Sequence, residues 1–286
     1  MKPPPPTEIA AAFSRRLRAL LGARFRSARS NSKKKPSFVC IGVQKGGTTT
    51  LYDVLRGHPE VLLSDTKEVH YFSNNFACGE NWYLSHFDRA AGCSIRGEIT
   101  PYYIFHPAAP ERIRRFNPQM KLILLLRDPV DRAVSHYYHA RRQGFETLDF
   151  DDALAAEEER LEGSEPALFE PGAKHYSHQH HSYIARSRYE VQISRYMKLF
   201  PAKQILILRS EDFFSGPSGV LHQITAFLGI RPFDNSLVVP KSNAGRADAA
   251  SAGAKTLAAL REKLQPTYDS IERSFGIEWQ RRPSTH

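Results

Sequence analysis

Four stretches of this sequence carry residues that can do chemistry. In the first, Lys45 stands before the pair Gly46-Gly47, and Thr48, Thr49 and Thr50 follow at once. A glycine turn that opens a helix aims several N–H groups and the positive end of a helix dipole at one point, which suits an anion. Lys45 adds a full charge there, so the stretch outlines a phosphate or sulfate cradle, though a plain strand–turn–helix corner has the same outline. In the second, Glu68 lies beside Lys67 and two positions before His70. A carboxylate and an imidazole so spaced can share acid–base work, although a charged surface turn has the same composition. In the third, Arg127-Asp128-Pro129 closes an apolar run. A guanidinium there can grip a phosphate with two parallel hydrogen bonds, or pair with Asp128 or Asp131 to hold a turn. The fourth, Lys174 to His181, holds four histidines in seven residues. That density invites a metal, but no cysteine is near and the acidic run before it lacks ligand spacing, which leaves a polar loop touching substrate as the expectation.

The elements that must position these groups are legible as alternating strands and helices. Phe38 to Val43 is short, apolar and rich in β-branched residues, as a core strand requires, and Thr48 to Thr50 can cap a helix running through Leu51, Val54 and Leu55. Gly57-His58-Pro59 stops that helix, and Val61 to Leu63 is a short second strand. Residues 73–93 read as irregular, with Phe76, Trp82, Tyr83 and Phe87 packing over the sheet. Ser94 to Ile99 is a further strand, and a helix over Pro110 to Phe116 follows. Lys121 to Leu126 is the clearest strand, continuous and apolar as inside a parallel sheet. The helix after it sets Val130, Val134, Tyr137 and Tyr138 near one face, with Arg132 and His136 elsewhere and Ser135 about two turns in. Residues 146–172 read as a solvated acidic helix and loop. A helix over Tyr189 to Phe200, a last strand over Gln204 to Leu208 and a helix over Pro217 to Leu228 complete the pattern. Beyond the basic, glycine-bearing loop from Pro240 to Arg246, a final helix runs from about Ala247 to Phe275 and breaks near Pro266. The fold expected is a single α/β domain over residues 36–286, a central parallel sheet flanked by helices and begun by a P-loop-like strand–loop–helix.

Charge excludes one class of function. The formal net charge is +10. Residues 1–35 hold ten basic residues against Glu8 alone, a surplus of nine that leaves the rest of the chain at +1. The folded part therefore has no nucleic-acid footprint. The leader is rich in Pro and Arg, with Ile9, Phe13, Leu17 and Phe25 at helical spacing. It reads equally as a disordered solvated arm, as a transit-like peptide, and as a surface helix making peripheral contact with an anionic membrane. Three cysteines (Cys40, Cys78, Cys93) are too few for a disulfide scaffold, and no apolar run reaches 18 residues. A reducing, cytoplasmic location is the default.

The loop pattern narrows the donor. In the nucleotide-triphosphatase loop the lysine follows the last glycine, whereas Lys45 precedes the pair. Gly42-Val43-Gln44-Lys45-Gly46-Gly47-Thr48-Thr49 resembles instead the 5′-phosphosulfate loop of sulfotransferases that use 3′-phosphoadenosine 5′-phosphosulfate (PAPS). Lys67-Glu68-Val69-His70-Tyr71-Phe72 resembles the K-E-x-H-F-F element of the heparan-sulfate and bacterial branch. Arg127-Asp128-Pro129 with Ser135 is similar to the family's 3′-phosphate site. The frame from Phe200-Pro201 through Phe227-Leu228-Gly229 is similar as well. The resemblance covers about residues 37–275. There are departures: Ser187 stands where glycine is expected before the next helix, and the loop holding Lys241 and Arg246 matches the adenosine-phosphate loop only loosely.

The resemblance implies sulfuryl transfer from PAPS to an acceptor hydroxyl or amine, without a metal. Lys45, Gly46, Gly47, Thr48, Thr49 and Thr50 would hold the 5′-phosphosulfate, and Lys45 would meet the charge on the leaving oxygen. Glu68 would take the acceptor's proton, with His70 orienting it or serving as base itself. Arg127 and Ser135 would hold the 3′-phosphate, with Lys241 and Arg246 near the adenosine. The acceptor expected is a sugar, a glycolipid or another hydroxylated molecule, walled by Glu68 to Phe72, Tyr102, Tyr103 and the histidine-rich loop. The alternatives are a P-loop-type kinase or triphosphatase, and a non-catalytic protein bound to surfaces through its basic leader.

Overall fold

In the computed structural model, residues 34–88, 93–234 and 252–279 are described. Residues 1–33 of the leader, together with Lys241 and Arg246, lie outside the described residues. In chain order the elements are β1 (Phe38–Gly42), α1 (Thr48–Arg56), β2 (Val61–Leu63), α2 (Glu80–Leu84), β3 (Ile95–Ile99), α3 (Ala109–Phe116), β4 (Lys121–Leu126) and α4 (Pro129–Arg142). Next come five short or medium helices, α5 (Phe150–Ala155), α6 (Glu157–Leu161), α7 (Ser164–Ala167), α8 (Tyr176–His180) and α9 (Tyr189–Met197). Then follow β5 (Ile205–Arg209), α10 (Ser210–Ser215), α11 (Pro217–Leu228) and α12 (Ala254–Phe275). The expected α/β architecture is present: one parallel sheet of five strands, ordered β2-β3-β1-β4-β5, with helices on both faces.

Two apolar layers explain why the central strands carry continuous apolar runs rather than alternation. Successive side chains of a strand point to opposite faces, so each strand must supply both layers. Leu122, Leu124 and Leu126 of β4 enter one layer with Val39 and Ile41 of β1, Val134 of α4, Ile193 of α9 and Leu264 of α12. Ile123 and Leu125 enter the other with Phe38 and Cys40, Leu51 and Leu55 of α1, and Ile224 of α11. The aromatics of residues 73–93 do pack over the sheet, Trp82, Tyr83 and Phe87 being buried. That stretch is more regular than expected, forming α2 between two 3₁₀ turns.

One expectation about the helices fails and another holds only in part. The final helix is not broken: α12 continues through Pro266, with Leu260, Leu264, Tyr268 and Ile271 buried along it. Proline removes one hydrogen bond there, and the buried face on either side keeps the helix in line. The acidic segment 146–172 is helical, as α5, α6 and α7, and its Asp151, Asp152, Glu158 and Glu159 are exposed as expected. Glu146 and Glu157, however, are buried. Glu157 accepts the N–H groups of Ile184 and Ala185, both at 2.7 Å. Glu146 takes Arg160 at 2.7 Å and the Tyr183 hydroxyl at 2.8 Å. Burial pushes the Glu146 carboxyl up, but Arg160, the Leu148 N–H and Tyr183 outweigh it and hold it down at about 2. These acids are anchors for the segment around residue 184, because a buried carboxylate is tolerated only with such partners. In α4, Arg132 and His136 are buried as well as Val134 and Tyr137.

Candidate active site

Lys45, Glu68, His70 and Arg127 all follow the carboxyl ends of strands, where open parallel sheets gather ligands. The turn after β1 is shaped by sterics. A side chain at Gly46 would bring its Cβ to 2.4 Å from the Leu125 carbonyl oxygen, and Gly47 takes φ 91°. Only glycine suits such a close approach and such a backbone. Gly47, not a threonine, is the residue that caps α1, and no side chain caps it among the described residues. Thr48, Thr49 and Thr50 form the first turn instead, Thr48 and Thr50 buried and Thr49 exposed. The opening N–H groups of a helix have no partner within it. Those of Gly47, Thr48 and Thr49 are the ones placed for an anion, because Gly46 N–H already donates to the Val43 carbonyl at 3.0 Å. The Ser210 hydroxyl, from the first turn after β5, donates to the Gly46 carbonyl at 2.9 Å and braces the turn.

Arg127, at the end of β4, donates to the Lys45 carbonyl at 3.2 Å, which joins the second candidate cation to the first. Among the described residues the partners of Asp128 are groups other than Arg127. Asp128 caps α4 by accepting the Asp131 N–H at 3.0 Å and also accepts the Tyr268 hydroxyl. Ser135 is nearly enclosed in α4, 3% exposed, and among the described residues no hydrogen bond joins it to Arg127. The departure at Ser187 has a local reason: its hydroxyl accepts Arg132 Nε at 2.6 Å and donates to the Pro129 carbonyl at 2.8 Å. A glycine there would leave the buried Arg132 short of that partner.

After β2, Glu68 stands between two partners. Its Oε1 is 3.2 Å from Lys67 Nζ, and its Oε2 is 3.2 Å from His70 Nε2. His70 in turn has its Nδ1 at 3.2 Å from the Ser73 hydroxyl. Burial raises the Glu68 carboxyl, but the His70 bond and the Lys67 charge outweigh it and hold the group below the ordinary carboxylate range. Glu68 is therefore ionised at neutral pH, the form a proton acceptor needs.

Glu68 and His70 open on a cleft also lined by Gln44, Tyr102, His136, His139, Phe145, Gln179, His180 and Arg186. Of the wall expected from sequence, Tyr71, Phe72 and Tyr103 are buried in the aromatic core behind it and do not line this cleft. The histidine-rich stretch is mostly the short helix α8, and its members divide the work. His175 accepts the His178 N–H and caps α8, while His178 meets the Tyr102 hydroxyl at 2.8 Å. His181 is held by the Phe145 carbonyl at 2.9 Å, and His180 faces the cleft.

Sequence reasoning passed over Arg186, the largest charged group at the cleft. It is fully buried, with Nη1 on Gln44 Oε1 at 2.6 Å and Nη2 on the carbonyls of His178 and Gln179. Its guanidinium stacks over Tyr102 and Phe105. Burial brings it down to about 9, which still leaves it charged at neutral pH. A cation directly after the apolar run Tyr183-Ile184-Ala185 is the available signal. Burial first, then Arg186 for His136 and His180 and Lys45 for His139, keeps these imidazoles below their ordinary range, His180 at about 4. They offer neutral hydrogen-bonding groups to the cleft.

Known proteins resemble this chain in sequence and fold. The model of the sulfotransferase domain family matches residues 35–239. The human heparan sulfate glucosamine 3-O-sulfotransferase 3B1 is 32% identical over 209 residues, covering 71% of this chain and 48% of its own length. The membrane-associated sulfotransferase kil1 of Dictyostelium discoideum is 27% identical over 276 residues, covering 72% of this chain and 59% of its own. The chain thus spans about half the length of the curated relatives it matches. The crystal structure of a sulfotransferase from Alicyclobacillus acidocaldarius superposes with a TM-score of 0.67 at 28% identity, covering 86% of this chain and 98% of that one. With the family model matching well over half of its residues, this chain belongs to the sulfotransferase domain family.

Proposed function

We propose that the chain moves a sulfuryl group from PAPS to an acceptor hydroxyl, the acceptor being a carbohydrate or glycolipid. One observation carries the reading: Gln44, the residue before Lys45, lines the same cleft as the ionised Glu68. The donor loop and a proton acceptor thus face one space, as an in-line transfer requires. The name of the human relative, a glucosamine 3-O-sulfotransferase, supports a sugar hydroxyl as the acceptor.

The work asked of the protein is positioning and charge stabilisation, as in phosphoryl transfer. The N–H groups of Gly47 to Thr49 and the Lys45 ammonium hold the phosphosulfate, and Lys45 meets the charge that grows on the leaving oxygen. Glu68 takes the hydroxyl proton as the new oxygen–sulfur bond forms. His70 holds the Glu68 carboxylate by the contact at 3.2 Å. Arg127, anchored on the Lys45 carbonyl, holds the 3′-phosphate, and Ser135 is its expected partner there.

Calorimetry with PAP and with ATP tests the donor assignment. PAP is expected to bind without magnesium; magnesium-dependent ATP binding with no PAP affinity would replace this reading by a nucleotide kinase. Arg127→Ala is expected to weaken PAP by about 10- to 100-fold, the loss of a charge-assisted pair to phosphate. An unchanged PAP dissociation constant would move the 3′-phosphate elsewhere. Screening sugars and glycolipids with radiolabelled PAPS identifies the acceptor.

A further inference from the structure

A second carboxylate, Glu98, lies on β3 behind the cleft and is fully buried. Burying a carboxylate is costly, and a sheet position needs none, so its partners show what it is for. Three hydroxyls donate to it: Tyr83 and Tyr103 to Oε1 at 3.0 and 2.7 Å, and Thr100 to Oε2 at 3.1 Å. Two of those hydroxyls also accept. Thr100 Oγ1 receives the His70 N–H at 3.4 Å, and the Tyr103 hydroxyl receives the Phe72 N–H at 3.2 Å.

Each oxygen of Glu98 thus holds a hydroxyl that in turn holds a backbone N–H of the segment bearing Glu68 and His70. The segment has other ties too. Arg112 of α3 donates to the Phe72 and Ser73 carbonyls at 3.3 and 3.1 Å, and the Asn74 side chain donates to Gln179 at 3.2 Å. Others are local. Ser73 and Asn75 N–H groups meet the His70 carbonyl, and the Asn75 side chain meets the Val69 carbonyl. His70 takes φ 55°, a backbone that persists only when its surroundings hold it. The two hydroxyl arms are long-range bonds that join this turn to the sheet.

We propose that Glu98 is a positioning residue for the transfer reaction, fixing the Glu68–His70 pair through the Thr100 and Tyr103 hydroxyls. The inference rests on the proposed sulfotransferase reading. It assigns Glu98 no contact with donor or acceptor: its effect runs through the backbone at residues 70 and 72. The geometry also explains why a carboxylate is needed. Burial raises the Glu98 carboxyl, and the Tyr103, Tyr83 and Thr100 hydroxyls pull it part of the way back. In the ionised form its two oxygens carry no hydrogens and accept all three hydroxyl protons, which turns the hydroxyl lone pairs toward the two N–H groups. Glutamine in its place offers one acceptor oxygen and two donors, so at least one hydroxyl must turn.

The test uses the full chain and three variants, Glu98→Gln, Thr100→Val and Thr100→Ser. PAP affinity is measured first by calorimetry, then conversion of radiolabelled PAPS to PAP with water as acceptor, and amide hydrogen exchange at His70 and Phe72. Glu98→Gln and Thr100→Val are expected to lower kcat by about 10-fold or more, the cost of a slightly misplaced reacting group. The KM for PAPS and the PAP dissociation constant should stay within about two-fold of wild type. Exchange at the His70 amide should quicken in Thr100→Val, and Thr100→Ser, which keeps the hydroxyl, should recover most of the lost turnover. If Glu98→Gln does not fold, Thr100→Val carries the test alone. PAP binding with kcat unchanged in the folded variants, or His70 exchange unchanged in Thr100→Val, overturns the inference by itself. A wild-type chain that binds no PAP overturns the donor reading on which it stands.

Discussion

Replacing Glu68 by glutamine is expected to lower turnover by about 10²-fold or more while PAP binds as before. Glutamine keeps the shape and the hydrogen-bonding reach of the side chain but cannot take a proton. The loss should therefore fall on kcat, which isolates the chemical step from donor binding. The pH dependence gives a second reading of the same group. Its carboxyl is held below the ordinary 4.5 by His70 and Lys67, which together outweigh its burial. A depressed value means that the ionised form persists as the solution is acidified. In the wild-type chain kcat/KM should stay level from neutrality down to the carboxylate range, with any acid limb below 4.5. An acid limb centred at roughly 6.5, the ordinary imidazole value, would give the proton to a histidine instead. Full turnover in Glu68→Gln with intact PAP binding would remove Glu68 from the chemistry altogether.

Lys45→Ala is expected to be as severe, about 10²- to 10³-fold in kcat, because the ammonium meets charge that grows only as the sulfur–oxygen bond breaks. The substitution is cleaner than it first looks. The contact with Arg127 is made by the Lys45 carbonyl, not by its side chain, so alanine leaves that bond in place. The turn itself is fixed by the two glycines and by Ser210. Loss of activity without loss of folding, checked by thermal melting, thus reports the ammonium. Some weakening of PAP should accompany it, since the same charge holds the phosphate. Turnover within about two-fold of wild type would mean that another group neutralises the leaving oxygen.

What the sequence reveals and what it hides follow from the range of the interactions. The strands are legible because both faces are buried and the apolar runs are local, as in Leu122 to Leu126. The glycine turn before α1 is legible because Lys45, the glycines and the threonines are neighbours in sequence. The Glu68–Lys67–His70 cluster is legible for the same reason, and the structure does bring the three together. The cleft is a different matter. Gln44, His136, His139, Phe145 and Arg186 come from four separate segments, and nothing in any one of them announces the others. The buried acids mislead in the same way. Glu146 and Glu157 sit in an acidic run that composition assigns to solvent, and their partners Tyr183, Ile184 and Ala185 lie some 27 to 37 residues on. The helix through Pro266 and the cap at Gly47 are overrides of local preference by packing and by a turn with φ of 91°.

The placing of Arg186 bears on how this cleft can diverge. One guanidinium holds Gln44 from the donor side and the carbonyls of His178 and Gln179 from the opposite wall, and it rests on two rings of a third segment. Residues that share a partner do not vary independently. Substitutions at Gln44, at Tyr102 and at Phe105 all alter the seat of the same side chain, so their effects will not add. Drift at this cleft is channelled accordingly: the residues seated on Arg186 change only in concert, and His180, whose imidazole is held down by burial and then by the Arg186 charge, is coupled to them as well.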